Sequence, residues 1–185
     1  MNLTRATRYD TPSMVFHWLT ALAVAAAFVL GPEDFGDGVD PSLRLDILWH
    51  ESLGMLVLGL TILRLVWVAL RPAPPQFPMA TATRLASRLA HLALWGLMLA
   101  LPITALLTLA SEGDPLTLLG GVRVNAMPWL ANAEIARLAD WGDVHKFLGD
   151  AVIVVAGLHA LAAIYHHVVR KDGVLLAMLP RKKSR

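Results

Sequence analysis

The sequence predicts an all-α fold: an integral membrane four-helix bundle with both termini in the cytoplasm. Three observations predict it. The 185 residues are 56% hydrophobic and only 16% charged, with a mean hydropathy of +0.57, which is a membrane composition rather than a soluble one. Four stretches are long and apolar enough to cross a bilayer. The basic residues collect on one side of those stretches and the acidic residues on the other.

The spans fall at roughly 14–30, 47–70, 89–110 and 144–169, within one membrane-embedded domain covering 1–185. The first could be read as a signal peptide with Arg5 and Arg8 as its basic flank, but His17 and Trp18 early in the stretch fit a retained anchor better. Pro72, Pro74, Pro75 and Pro78 make the loop after the second span stiff and non-helical. Pro102 is expected to kink the third span. The long connection from Ser111 to Asp143 has room for a short surface helix over Asn132–Asp140.

Charge sets the orientation. Arg5, Arg8, Arg71, Arg84, Arg88, Arg170, Lys171, Arg181, Lys182, Lys183 and Arg185 lie at the ends predicted to face the cytoplasm. Glu33, Asp34, Asp37, Asp40, Asp46, Glu112, Asp114, Glu134 and Asp140 lie on the outer side. A net charge of +2 therefore reflects topology and gives no reason to expect nucleic acid as a partner; membrane lipid is the surrounding partner. The six tryptophans divide between the two interfaces, as belt or packing residues. No cysteine is present, which excludes disulfides, thiolate clusters and covalent haem attachment. No phosphate-binding or dinucleotide fingerprint is present either.

Histidines inside membrane spans are functional candidates by default. His145 and His159 are 14 residues apart in the fourth span. Fourteen helical steps return a side chain to within about 40° of its starting direction and advance it about 21 Å. One helix face thus carries an imidazole near each side of the bilayer. His50 opens the second span, which runs parallel to the fourth, so His50 and His145 lie at similar depth on the outer side. His17 lies near the inner side with His159, but His91 and His166 compete for that level on depth alone. Two stacked bis-histidine sites point to two non-covalent haems and to electron transfer. Two axial imidazoles fill an iron's open positions, favouring outer-sphere transfer over oxygen activation. Zinc, with two histidines per site and no third ligand, fits poorly.

Arg64 lies 14 residues after His50, hence on the same face at the inner level. It is suited to bind haem propionates with paired hydrogen bonds, or to snorkel to inner headgroups beside Arg71. Asp150 lies about 7–8 Å inward of His145 and could orient an imidazole, relay a proton, pair with a cation or remain a neutral acid. Gly54, Gly59, Gly149 and Gly157 offer flat helix surface for a macrocycle or for a neighbouring helix. The seven methionines are scattered and read as packing.

The segments FHWLTA around His17, WHESLGMLVLGLTILRLVW from Trp49, HLALWGLMLALPITALL from His91 and HKFLGDAVIVVAGLHALAAIYHHVVRKDGVLLAMLPRKK from His145 carry a resemblance over nearly the whole chain. Together they resemble the bacterial cytochrome b561 family, four-helix dihaem proteins of the inner membrane. The resemblance implies two haem b groups, with His17 and His159 on the inner iron and His50 and His145 on the outer iron, and it demotes His91 and His166 as ligands. It further implies ubiquinone as electron acceptor and, from a superoxide oxidase within the family, superoxide as a donor on the periplasmic side. His166 and His167, about 10 Å inward of His159, are then candidates for protonating a quinone headgroup, with interfacial snorkelling as the plainer role.

Counted with the helix ends, the outer side carries eleven acidic against four basic residues, a net of −7. Such a field repels an anion at long range, so a superoxide route needs a local funnel, with Lys146 beside a ligand and Arg44 and Arg137 as further candidates. The same acidity suits a basic partner. Three functions are therefore open: a superoxide:ubiquinone oxidoreductase; a non-catalytic electron-transfer subunit anchoring a periplasmic dehydrogenase or cytochrome c; and a transporter or proton channel using the histidine face without haem.

Overall fold

A computed structural model describes residues 8–31, 44–71, 73–124 and 127–180. Arg5, Glu33, Asp34, Asp37, Asp40, Pro72, Arg181, Lys182, Lys183 and Arg185, used above in the orientation and loop arguments, lie outside the described residues.

Helix α1 spans Thr11–Val29. Its start is set by Asp10, whose carboxylate accepts from the backbone N–H of Ser13 (2.9 Å) and from its hydroxyl (2.9 Å), satisfying donors that the first turn leaves free. Pro12 sits in that first turn, where its missing N–H costs nothing. Helix α2 spans Leu45–Leu70 and ends where the proline-rich segment begins. Helix α3 runs unbroken from Thr81 to Glu112 with Pro102 inside it. It starts eight residues before the expected third span. Hydropathy marks only the bilayer core, whereas helical hydrogen bonding continues through the interfacial turns bearing Arg84 and Arg88. Helix α5 spans Trp141–Tyr165, capped by Asp140 accepting from the Asp143 N–H at 3.1 Å. A π-helical turn, His166–Arg170, extends it, and Lys171 in the left-handed region (φ 52°) ends it.

The connection between α3 and α5, on the side expected to be outer and named so below, holds more structure than the expected surface helix. Strands β1 (Leu116–Leu118) and β2 (Val122–Val124) pair antiparallel, Leu116 opposite Val124. Their turn is made by Gly120 (φ 84°) and Gly121 (φ 78°), a conformation that glycine adopts without steric cost. A short helix α4 (Pro128–Ala131) and a 3-10 turn (Glu134–Arg137) follow, the latter inside the stretch expected to be helical.

Helix α1 packs on α2, α2 on α3, α3 on α5, and β1 lies on α2. All four long helices are of membrane-crossing length and hydropathy. The core is thin, and large apolar side chains such as Leu22, Leu63 and Leu92 face outward, 56–69% exposed. Lipid tails solvate such a surface as well as a protein core would, so the bundle is set by packing and internal hydrogen bonds.

The inner ends are tied together by polar contacts. Trp67 Nε1 donates to Asp10 (2.8 Å), and Arg71 pairs with the same carboxylate at 3.5 Å. The segment after α5 folds back on α1: Trp18 Nε1 donates to the Met178 carbonyl (2.8 Å), and the Tyr9 N–H to that of Ala177 (3.1 Å).

Candidate haem-binding histidine pairs

At the outer level, α2 presents His50 and α5 presents His145, their ring centres 6.0 Å apart and their planes at 83°. His50 Nδ1–H donates to the carbonyl of Ala27 on α1 (2.7 Å). His145 Nδ1–H donates to the carbonyl of Leu101 on α3 (2.9 Å), with the Thr104 hydroxyl at 3.2 Å. Each ring is thus oriented by a neighbouring helix with its Nε2 left available, the way metal-binding imidazoles are commonly held.

A metal ion held between two trans imidazoles, with metal–nitrogen bonds of about 2 Å, sets the ring centres about 6.3 Å apart. The outer pair at 6.0 Å fits such a sandwich. The space around it fits a macrocycle as well. A cleft lined almost wholly by apolar side chains contains both histidines. Gly54 and Gly149 line it, each four residues after a histidine and so on its face. A Cβ at either would meet no other atom within 4 Å, so both helices are open beside the imidazoles.

The inner level gathers three imidazoles. His17 of α1 and His159 of α5 have ring centres 6.3 Å apart at 72°. His91 of α3 lies closer to His159, at 5.2 Å and 69°, and its Nδ1 is 3.4 Å from the Ser87 hydroxyl. The first separation matches a metal sandwich; the second is too short for one. Arg64 lies over the ring of Trp95, 4.9 Å from its centre, and its charge also acts on His17, His91 and His159.

His166 stands apart from these pairs, its Nδ1–H donating to Asp172 across the end of α5. Burial raises the Asp172 carboxyl, but the bonds from His166 and the Val174 N–H and the Arg170 charge outweigh it and hold its pKa below the ordinary 3.8. His167 is exposed. Of the candidate funnel cations, Arg44 is paired with Asp46 at 2.6 Å, whereas Lys146 is exposed on α5. Asp150 is exposed as well, and among the described residues nothing is bonded to it.

The sequence reading missed the part played by Glu51. Its carboxylate lines the outer cavity beside His50 and accepts both the backbone N–H of Thr117 (2.5 Å) and its hydroxyl (2.9 Å). The Leu119 N–H is bound by the Ser52 hydroxyl at 2.8 Å. These bonds seat the β1–β2 hairpin on α2, with Leu116 closing one wall of the cavity. The signal was present in the paired glycines between two runs of strand-forming residues.

The family model for prokaryotic cytochrome b561 matches residues 8–181. Cytochrome b561 homolog 2 of Escherichia coli (strain K12) is 33% identical over 186 residues, covering 96% of this chain and 94% of the relative. Cytochrome b561 homolog 1 of the same organism is 29% identical, covering 95% and 99%. A protein named probable superoxide oxidase CybB, from Yersinia pestis, is 28% identical, covering 96% and 98%. With four membrane-crossing helices, paired histidines and this match over nearly its whole length, the chain belongs to the prokaryotic cytochrome b561 family of membrane electron-transfer proteins.

Proposed function

We propose that this chain is a dihaem b-type cytochrome of the bacterial inner membrane, one membrane-embedded domain with both termini in the cytoplasm, that moves electrons from periplasmic superoxide to ubiquinone. The observation that carries the reading is the pair of histidine sets at metal-sandwich separation, 6.0 and 6.3 Å, about 21 Å apart along one face of α5. The Lys/Arg bias supports the orientation. Likeness to a relative named as a probable superoxide oxidase supports the donor.

When bound, a haem at each level supplies a one-electron carrier. His50 and His145 are the outer iron ligands, held by the Ala27 and Leu101 carbonyls, which fix each imidazole's tautomer and direction. His17 and His159 are the inner ligands. Arg64 balances carboxylate charge at the inner level. Lys146, directly after a ligand, offers the local positive charge that draws an anion through an acidic surface. His166, whose Nδ1–H donates to Asp172, and the exposed His167 stand at the inner end of α5 as the candidates for protonating a quinone headgroup.

The test is haem content per chain by pyridine haemochrome, followed by superoxide-driven ubiquinone reduction with the purified protein alone. Two b-type haems per chain and unaided turnover that slows with added salt are expected. One haem per chain would overturn the pairing, and turnover that salt leaves unchanged would overturn steering by Lys146. A second reading, an electron-transfer anchor for a basic periplasmic partner, is favoured by the outer net charge of −7. It predicts two haems but no turnover without that partner.

A further inference from the structure

Helix α5 carries its histidines on one face and Asp150 on nearly the opposite one. Asp150 follows His145 by five residues, about 140° around the helix. It also lies between the two histidine levels, hence deep within the span rather than at its margin. Phe147, Val154, Leu158 and Leu161 share the outward face, 60–70% exposed. Carboxylates at such depth almost always face a bundle interior, a water-filled cavity or a partner charge. Here the surroundings are apolar, and among the described residues none donates to Asp150.

A second observation concerns the same helix. Only 6% of its most apolar stretch is buried, against 17–22% in the other three long helices. Haem bound on the histidine face would leave this outward face uncovered.

We propose that the outward face of α5 is the membrane-embedded contact with a second copy of this chain, in which Asp150 pairs with Lys146 of that copy. Charge complementarity selects this occupant. Lys146 and Asp150 lie one turn apart on the exposed side of a single helix. Two copies inserted under the same charge rule have the same orientation, so their two-fold axis stands along the membrane normal and their α5 helices run side by side in parallel. Each lysine then reaches the other copy's carboxylate, forming two reciprocal pairs, as an isologous interface requires. The lysine's flexible four-carbon stem spans the single turn to that carboxylate, and in the paired state the steering of an anion falls to the exposed Arg137. Gly157, with open space where a Cβ would stand, permits close approach of the helices farther in.

The chain has no cysteine, so engineered single thiols report the interface without background. Val154→Cys or Leu161→Cys is introduced into the full chain, oxidised in native membranes with copper–phenanthroline and resolved by mass, the haem spectrum of each variant verifying its fold. Leu22→Cys, on the outward face of α1, is the control. Covalent dimers of twice the chain mass are expected from the α5 thiols and not from the control. Adding Asp150→Asn is expected to lower their yield by roughly three- to tenfold, the range of measured polar contacts between membrane helices. The exchanged pair, Lys146→Asp with Asp150→Lys, is expected to restore it. Yields no higher than the control, or adducts only with a different protein, would overturn the second copy as occupant. A yield that Asp150→Asn leaves unchanged would overturn the charge pairing.

Discussion

The docking of the β1–β2 hairpin over the outer cavity makes a quantitative prediction through Thr117→Val. Thr117 is 2% exposed, and its hydroxyl and backbone N–H both donate to one oxygen of Glu51. Valine keeps the shape and β-branching, so strand packing is retained while one hydrogen bond is lost. Loss of a buried bond to a carboxylate costs about 1–3 kcal/mol. The hairpin is a local unit seated on α2, so most of that cost falls on its own opening equilibrium rather than on the bundle. One to 3 kcal/mol corresponds to a rise in the open population of about fivefold to 150-fold. The assay is hydrogen exchange in lipid nanodiscs, read at the amides of residues 117 and 119, which bond to Glu51 and Ser52 respectively. Both should exchange faster by that factor, while amides in the middle of α2 keep their protection. If the two amides exchange at the wild-type rate, the Glu51 contact does not hold the hairpin and the reasoning fails.

Further outcomes follow from the sites. His50→Ala or His145→Ala should remove one haem of two and leave the inner spectrum, and His17→Ala or His159→Ala should do the reverse; loss of the inner haem in His91→Ala but not in His17→Ala would reassign the inner ligand. Arg64→Ala should shift the inner midpoint potential as well as remove its stacking on Trp95, worth about 0.5–2 kcal/mol; a stability loss of that size with an unchanged potential would leave Arg64 only its stacking role. Asp10 should give the inner ends an acid limit. Burial raises its carboxyl, but bonds from Ser13 and Trp67 prevail and lower its pKa from 3.8. A carboxyl lowered on folding stabilises fully above its unfolded value and loses that contribution as pH falls through its folded one. Acid unfolding below about pH 4 should therefore weaken in Asp10→Asn, and equal acid profiles for the two proteins would remove Asp10 from that role.

Much of the fold was legible because its signals are local. A helix that must cross a bilayer needs about 20 apolar residues, and each of the four announces itself by composition. The 14-residue spacing of His145 and His159 fixes their common face by helical geometry alone, whichever neighbour lies opposite. Boundaries were less legible: α3 begins at Thr81 because hydrogen bonding, unlike hydropathy, does not stop at the edge of the lipid. The β1–β2 hairpin escaped notice because its three-residue strands are too short to show alternation, and they are held by side chains from a distant helix.

By itself, then, the sequence determined a membrane bundle of four helices, the stacking of two imidazoles on α5 and the absence of thiolate or disulfide chemistry. It left the inner level shared among His17, His91, His159 and His166. Only the tertiary structure put His17 at 6.3 Å and His91 at 5.2 Å from His159 and turned His166 away to Asp172. The physical reason is that depth along a helix follows from residue count, whereas the azimuth at which one helix meets another depends on the packing of all of them. A histidine's depth is written in its own segment; its partner is chosen by the rotation of its neighbours.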